Sequence, residues 1–246
     1  AVYNRYFPAQ APFAILSGTA DLTADIQMTP QYAGGFVKLK TQGMQSRIDR
    51  QTVAGELNLD IRIAGGIPRD MDFDISGSSL TLDRVRVAGE HQSFDRSDWY
   101  GRIDLQKARA VWRKPTLVEL TAGVEIKDTR PMVAVLANQR GKHGWIEKLL
   151  TVENVQGDAE MSLAQDRILI SHAFAESNDI DLGAKGIIDD AVRRGVFYVR
   201  FKKLHGLLKI DGGDRNFDVL HAREKFDDFS ARAVTPDTGT ESSGSP

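Results

Sequence analysis

The chain holds 246 residues, 41% of them hydrophobic, enough for one large all-β domain or two small domains around a real core. Lys and Arg total 32 against 34 Asp and Glu, a formal charge of −2 with no basic block, which gives no indication of a nucleic-acid or anionic-membrane footprint. Cysteine is absent, so disulfide frameworks, thiolate metal sites and cysteine nucleophiles are excluded, while reducing cytosol and a disulfide-free periplasm stay open. No run has the length of a membrane-spanning helix and no signal peptide opens the chain. The start at Ala1-Val2 without a methionine is what an excised piece would show, its anchor lying elsewhere.

After an irregular opening, "GTADLTADIQM" alternates Ala20, Leu22, Ala24, Ile26 and Met28 with polar residues, the period-2 pattern of a strand wet on one face and dry on the other. "GGFVKLKTQGM" continues it with Val37 and Leu39 against Lys38 and Lys40, and "GELNLDIRIAGG" sets Leu57, Leu59, Ile61 and Ile63 against Asn58, Asp60 and Arg62. In "MDFDISGSSLTLDRVRVAG" the apolar phase slips from Leu80 and Leu82 to Val85 and Val87, which predicts a β-bulge at Asp83-Arg84. From Trp99 to Asp128 the pattern predicts a long hairpin turning at Arg113, Lys114 and Pro115, with Val118, Leu120, Ala122, Val124 and Ile126 on one side of its second arm.

"DTRPMVAVLANQRG" breaks the alternation and predicts a short helix: an Asp128/Thr129 cap, Pro131 in the first turn, an apolar run and Gly141 as the stop. "HGWIEKLLTVENV" predicts another helical turn or two, with Trp145, Ile146, Leu149 and Leu150 as an apolar plug or lid. Strands then resume with Ala159, Met161 and Leu163, with Ile168 and Ile170, and with Ile180, Leu182 and Ala184, before "GVFYVRFKKLHGLLKID"; their turns are rich in Asp, Asn and Gly, as in a meander. "FDVLHAREKFDDF" spaces Val219, Ala222, Phe226 and Phe229 by three and four, predicting an amphipathic helix capped by Asp218 and lying on the sheet. We therefore expect one mainly β domain over residues 1–232 and a disordered tail over 233–246.

Strands of eight to ten residues run about 27–35 Å. Two architectures can dry their apolar sides: two sheets packed as a sandwich, the commoner solution, or one curved sheet whose greasy side is filled by something else. Aromatic residues make up only 8% of the chain, and aliphatic inward positions suit either a core or flexible acyl chains.

The runs "LSGTADLTADIQM", "VAGELNLDIRIAGG", "FDISGSSLTLDRVRVAG" and "VELTAGVEIKDTRPMVAVL", and the helical insertion before "VENVQGDAEMSLAQDRILISHAFAESNDIDLGAKGII", together resemble the carboxy-terminal region of the AsmA-like envelope proteins of Gram-negative bacteria, the TamB and YdbH relatives among them. The resemblance spans roughly residues 16–212 and rests on a Gly-x-Ala/Glu-x-Leu strand opening, a D-x-R-P before the short helix and successive amphipathic strands. It implies that the long antiparallel meander forms a curved, taco-like sheet or groove, to which the residue patterns add a short helical insertion near 130–150 and a C-terminal amphipathic helix. It also implies a non-enzymatic periplasmic domain, anchored to the inner membrane in the full-length protein, that binds or conducts phospholipid between inner and outer membranes. The chain departs from the family in lacking an anchor and in being much shorter than the long bridges. On this resemblance Leu57, Leu59, Ile61, Ile63, Val118, Leu120, Val124, Ile126, Ile168, Ile170, Ile180 and Leu182 line the groove, with phospholipid acyl chains as ligands and other envelope proteins as partners at the sheet edges.

Chemistry of other kinds has little footing. The five histidines, His91, His143, His172, His205 and His221, lack metal spacing, and Asp211, Asp214 and Asp218 in "DGGDRNFD" lack the calcium-loop pattern and fit a hairpin turn better. Nucleophile-elbow, Walker and dinucleotide fingerprints are missing, and the adjacent acids Asp189-Asp190 and Asp227-Asp228 fit a solvated surface. No catalytic residue, metal or cofactor is therefore expected. Arg193, Arg194, Arg200, Lys202 and Lys203, set among Phe197, Tyr198 and Phe201, offer phosphate-binding chemistry, with a solvated outer face as the plainer reading. Against the lipid-binding reading stands a β-sandwich or β-solenoid module for envelope assembly, with an enzyme third.

Overall fold

The computed structural model describes residues 13–48, 51–89, 93–140, 151–165, 167–189 and 193–230. They build a single, curved, open antiparallel sheet from β1 (Phe13–Thr29), β2 (Tyr32–Ile48), β3 (Gln51–Ile63), β4 (Gly65–Ile67), β5 (Asp72–Asp74), β6 (Ser79–Ala88), β7 (Ser93–Asp95), β8 (Tyr100–Val111), β9 (Leu117–Asp128), β10 (Glu153–Ala164), β11 (Arg167–Glu176), β12 (Ile180–Ile188), β13 (Arg193–Phe201), β14 (Leu204–Asp211) and β15 (Asp214–Asp218). Strand order follows the chain, β1-β2-β3-β6-β8-β9-β10-β11-β12-β13-β14-β15, with β4, β5 and β7 as short side pairings. This is the meander expected from the sequence. A second sheet, as a sandwich would need, is not present among the described residues, so the commoner packing solution does not apply.

Bulges keep the pattern in phase while bending the strands. Arg84 adopts a left-handed φ of 51°, and Glu56 pairs with Asp83 while Ala54 pairs with Arg86, so β6 carries one extra residue at the predicted place. The same device recurs, among other places, between Lys40 and Met44 in β2, at Gln106 in β8 and at Ser171 in β11. At each, the apolar set changes parity, from Thr41 to Met44, from Leu105 to Ala108 and from Ile170 to Ala173, and so stays on one face; each extra residue also adds twist and bend.

The helices α1 (Arg130–Arg140) and α2 (Ala222–Asp228) lie on opposite faces. α1 begins as predicted: Asp128 accepts the Arg130 N–H at 2.9 Å and Pro131 occupies the first turn. It lays Ala134 and Val135 on Val53, Leu82, Val85, Val87, Phe94, Trp99 and Ile126, all on the apolar face, at one end of the strands. The Trp99 indole donates to the Asp128 carbonyl at 2.6 Å, and Gln51 donates to the Val135 carbonyl at 3.1 Å, so the helix is tied just before its start and at its middle.

α2 starts later than the sequence predicts. His221, left-handed at φ 54°, precedes its first turn without a side-chain cap, whereas Asp218 bonds the Leu220 N–H at 2.9 Å and pairs with Lys225. Asp218 is thus spent on the turn before the helix, and Val219 is exposed. The helix packs Ala222 and Phe226 on Val196, Tyr198, Leu207 and Phe174, all on the polar side of the sheet. Gly183 makes room, since a Cβ there would come within 2.5 Å of the Phe226 ring. Lys185 gathers the helix's last carbonyls, 2.9 Å from Phe226 and Asp227 and 3.3 Å from Phe229. The predicted plug at Trp145, Ile146, Leu149 and Leu150 and the tail at 233–246 lie outside the described residues.

Candidate functional site: the apolar face of the sheet

The register turns the strand-by-strand alternation into one surface. A single line of cross-strand partners runs Leu22, Leu39, Leu59, Leu80, Ile103, Val124, Gly157, Ala175, Leu182, Val199, Gly206, crossing eleven strands without a polar side chain. The adjacent line, one residue along, runs Asp21, Lys40, Asn58, Thr81, Arg102, Glu125, Gln156, Glu176, Asp181, Arg200, His205 and holds no apolar one. Successive side chains of a strand point to opposite faces, so the two lines mark out an apolar and a polar side of the sheet.

The twelve residues expected to line a groove all take the apolar register. Leu57, Leu59, Ile61 and Ile63 on β3, Val118, Leu120, Val124 and Ile126 on β9, and Ile170 on β11 are half-buried, while Ile168 and Leu182 are exposed. Ile180 differs: it shares the face of Leu182 but is only 5% exposed, so it is part of the packed structure rather than of an open lining. The face also includes residues outside that expected set, notably Leu22 at 69%, Ile188 at 46% and Phe197 at 48% exposure. Their signal was the same alternation.

What lies on this face changes along it. Under α1 a cavity of about 200 Å³ is lined by Val53, Leu57, Leu82, Val85, Trp99, Met132 and Val135, and is apolar throughout apart from its rim. Beyond α1, from β10 to β15, no described element covers the apolar side. Contiguous solvent-facing Leu, Ile and Phe of this kind are a feature shared by surfaces that contact protein, membrane or apolar ligand.

The polar side has its own features. A cavity of about 860 Å³ is bordered by Asp72, Asp74, Lys107, Arg109, Glu119 and Glu160. The bidentate Arg109 hydrogen bonds, at 2.9 and 2.6 Å, hold the Asp72 carboxyl below its usual range, and hydrogen bonds from Ser76 do the same for Asp74. Both acids are thus poised as spectators to an ion pair and a turn. His172 faces Asp158, His205 meets the Tyr198 hydroxyl at 2.8 Å and His221 faces Glu224. Asp211 pairs with Arg194 and Asp218 with Lys225, leaving the "DGGDRNFD" acids apart in a Gly212-Gly213 hairpin turn. Among the described residues no group of acids and histidines is arranged to hold a metal, and no helix is long and apolar enough to cross a membrane.

At the α1 end, Asp128 is fully buried. Burial alone would raise its carboxyl, but the Arg130 side-chain and backbone hydrogen bonds, with the charges of Arg130 and Arg96, outweigh it and hold it below the ordinary carboxylate range. Glu153 joins the same network through Arg96 at 3.1 Å and Arg130 at 2.9 Å.

Compared with family models, curated proteins and solved structures, the chain finds no match.

Proposed function

We propose that this chain is a non-enzymatic, lipid-binding β-sheet domain of the AsmA-like kind, whose apolar face holds phospholipid acyl chains in the bacterial periplasm and passes them between membranes. The observation that carries the reading is the eleven-strand apolar line set beside an eleven-strand polar one, on a sheet with no described element over the apolar side of β10 to β15. Burying a methylene contributes about 0.8 kcal/mol, so ten methylenes laid on this face contribute on the order of 8 kcal/mol, enough to favour occupancy over a wetted hydrocarbon surface. The polar face keeps the loaded domain in water, and an anchor elsewhere in the full-length protein supplies the membrane contact.

Extraction and mass spectrometry of the purified protein test this. Phospholipid should accompany the chain in near-stoichiometric amount, and Ile61→Asp with Leu120→Asp should remove it while circular dichroism still reports a sheet. A stable, lipid-free wild-type protein that takes up no phospholipid from vesicles contradicts the reading.

The free edge favours a second, compatible role in docking envelope proteins. Among the described residues no strand pairs with the outer side of β1 over residues 16–29, where every second residue turns its N–H and C=O outward, a template for strand addition. Thr23→Lys with Gln27→Lys, on the polar side of that edge, should abolish any concentration-dependent association seen by sedimentation; association unchanged in that variant removes the role.

A further inference from the structure

Charged side chains in apolar register are few among the described residues. Asp128 and Glu153 sit at the α1 end and are satisfied by Arg96 and Arg130. The others are Arg193 and Arg215, at the far ends of the strands in the opposite corner. Arg193 pairs with Ile188 and its carbonyl accepts the Gly212 N–H at 2.7 Å, while Arg215 pairs with Ile210; Ile188 and Ile210 both point to the apolar side. The two arginines therefore flank β14 on one face. Strand spacing and rise put their Cα atoms about 12 Å apart, close enough for two long side chains to converge.

Their neighbours show that the pairing state is not accidental to this cluster. Arg194 binds Asp211 at 3.1 and 3.2 Å, Arg200 binds Asp181, Arg167 binds Asp189 at 3.1 Å and Arg223 binds Asp227 at 2.9 Å, all on the polar side or on α2. Among the described residues Arg193 and Arg215 have no such partner, and both are exposed. The floor beside them is low: only Ile210 on β14 stands between them, the Gly212-Gly213 turn at its end is open, a Cβ there meeting nothing within 4 Å, and Gly195 and Gly186 on β13 and β12 carry no side chain. Around this floor stand Ile188, Phe197, Ile210 and Phe217. Guanidinium groups match phosphate oxygens bidentately and are weakly hydrated, which suits a site at the margin of hydrocarbon.

Resting on the lipid-binding reading, we propose that Arg193 and Arg215 clamp the phosphate of a bound phospholipid, fixing its headgroup at this corner while its acyl chains run across the strands toward α1. The pair gives the face a polarity along which lipid is oriented.

Calorimetric titration of the delipidated full chain with dioctanoyl phosphatidylglycerol, with dioctanoylglycerol and with inorganic phosphate tests the clamp. The wild type should bind the phosphate-bearing lipid roughly tenfold or more tightly than the neutral one, and should not bind inorganic phosphate. Arg193→Gln with Arg215→Gln should abolish that preference and leave dioctanoylglycerol binding unchanged, whereas Lys203→Gln with Lys209→Gln, which removes equal charge elsewhere, should preserve it. Equal wild-type affinity for both lipids, or a preference that survives Arg193→Gln with Arg215→Gln, overturns the clamp and leaves the acyl-binding reading standing. Inorganic phosphate binding as tightly as the lipid overturns the lipid source. Binding of neither lipid overturns the acyl-binding reading itself, and the clamp with it.

Discussion

The corner under α1 and the stretch from β11 to β13 are built from the same alternation and end differently. Val87, Phe94 and Trp99 are buried by the helix, whereas Ile188, Leu182 and Phe197, in equivalent register, face outward. Alternation therefore sets which side of a sheet is apolar, but not what covers it. In the first region the chain supplies its own cover; in the second no described element does, and lipid is the cover we propose.

Truncations should separate the two regions sharply. Trp99→Ala removes a buried ring and its hydrogen bond to the Asp128 carbonyl, and Phe226→Ala empties the core under α2; each should cost about 3–5 kcal/mol in urea denaturation. Phe197→Ala and Leu182→Ala, on half-solvated side chains, should cost the lipid-free protein under about 1 kcal/mol by the same measurement. Comparable losses in both regions would mean that the open stretch is covered by the chain after all.

A second effect is confined to the α1 corner. Because the folded-state pKa of Asp128 is depressed, its contribution to stability is fully present above the unfolded-state value near 4 and is lost as pH falls through the lower folded value. Asp128→Asn should lower stability by about 1–3 kcal/mol at neutral pH and flatten the acid limb of a thermal-melt profile. Gly183→Ala forces Phe226 aside and should cost about 1–3 kcal/mol, read as a lower melting temperature without loss of bound lipid.

Much of the sheet was legible because its signals are local. The bulge at Arg84 showed as a phase slip, the hairpin turn at Arg113-Lys114-Pro115 as a break between two periodic runs, and α1 as an Asp-x-x-Pro start. The bulges at Gln106 and Ser171 need the partner strand's register to be seen. Asp218 has the chemistry of a cap, and its use in the preceding turn depends on Lys225 seven residues away. Ile180 and Leu182 are alike in pattern, and only packing distinguishes the buried one from the exposed one. The arginine cluster was visible as composition, but the separation of Arg193 from paired Arg194 and Arg200 follows from which face each takes. The choice between a closed sandwich and an open sheet is likewise non-local.

Photo-crosslinking from alternating positions tests the central claim most directly. A benzophenone side chain placed singly at Leu59, Ile103 and Leu182, and at their polar-line neighbours Asn58, Arg102 and Asp181, should give lipid adducts by mass spectrometry from the first three positions and none from the second three. Adducts from neither set, or equally from both, would contradict a lipid held on one face of this sheet.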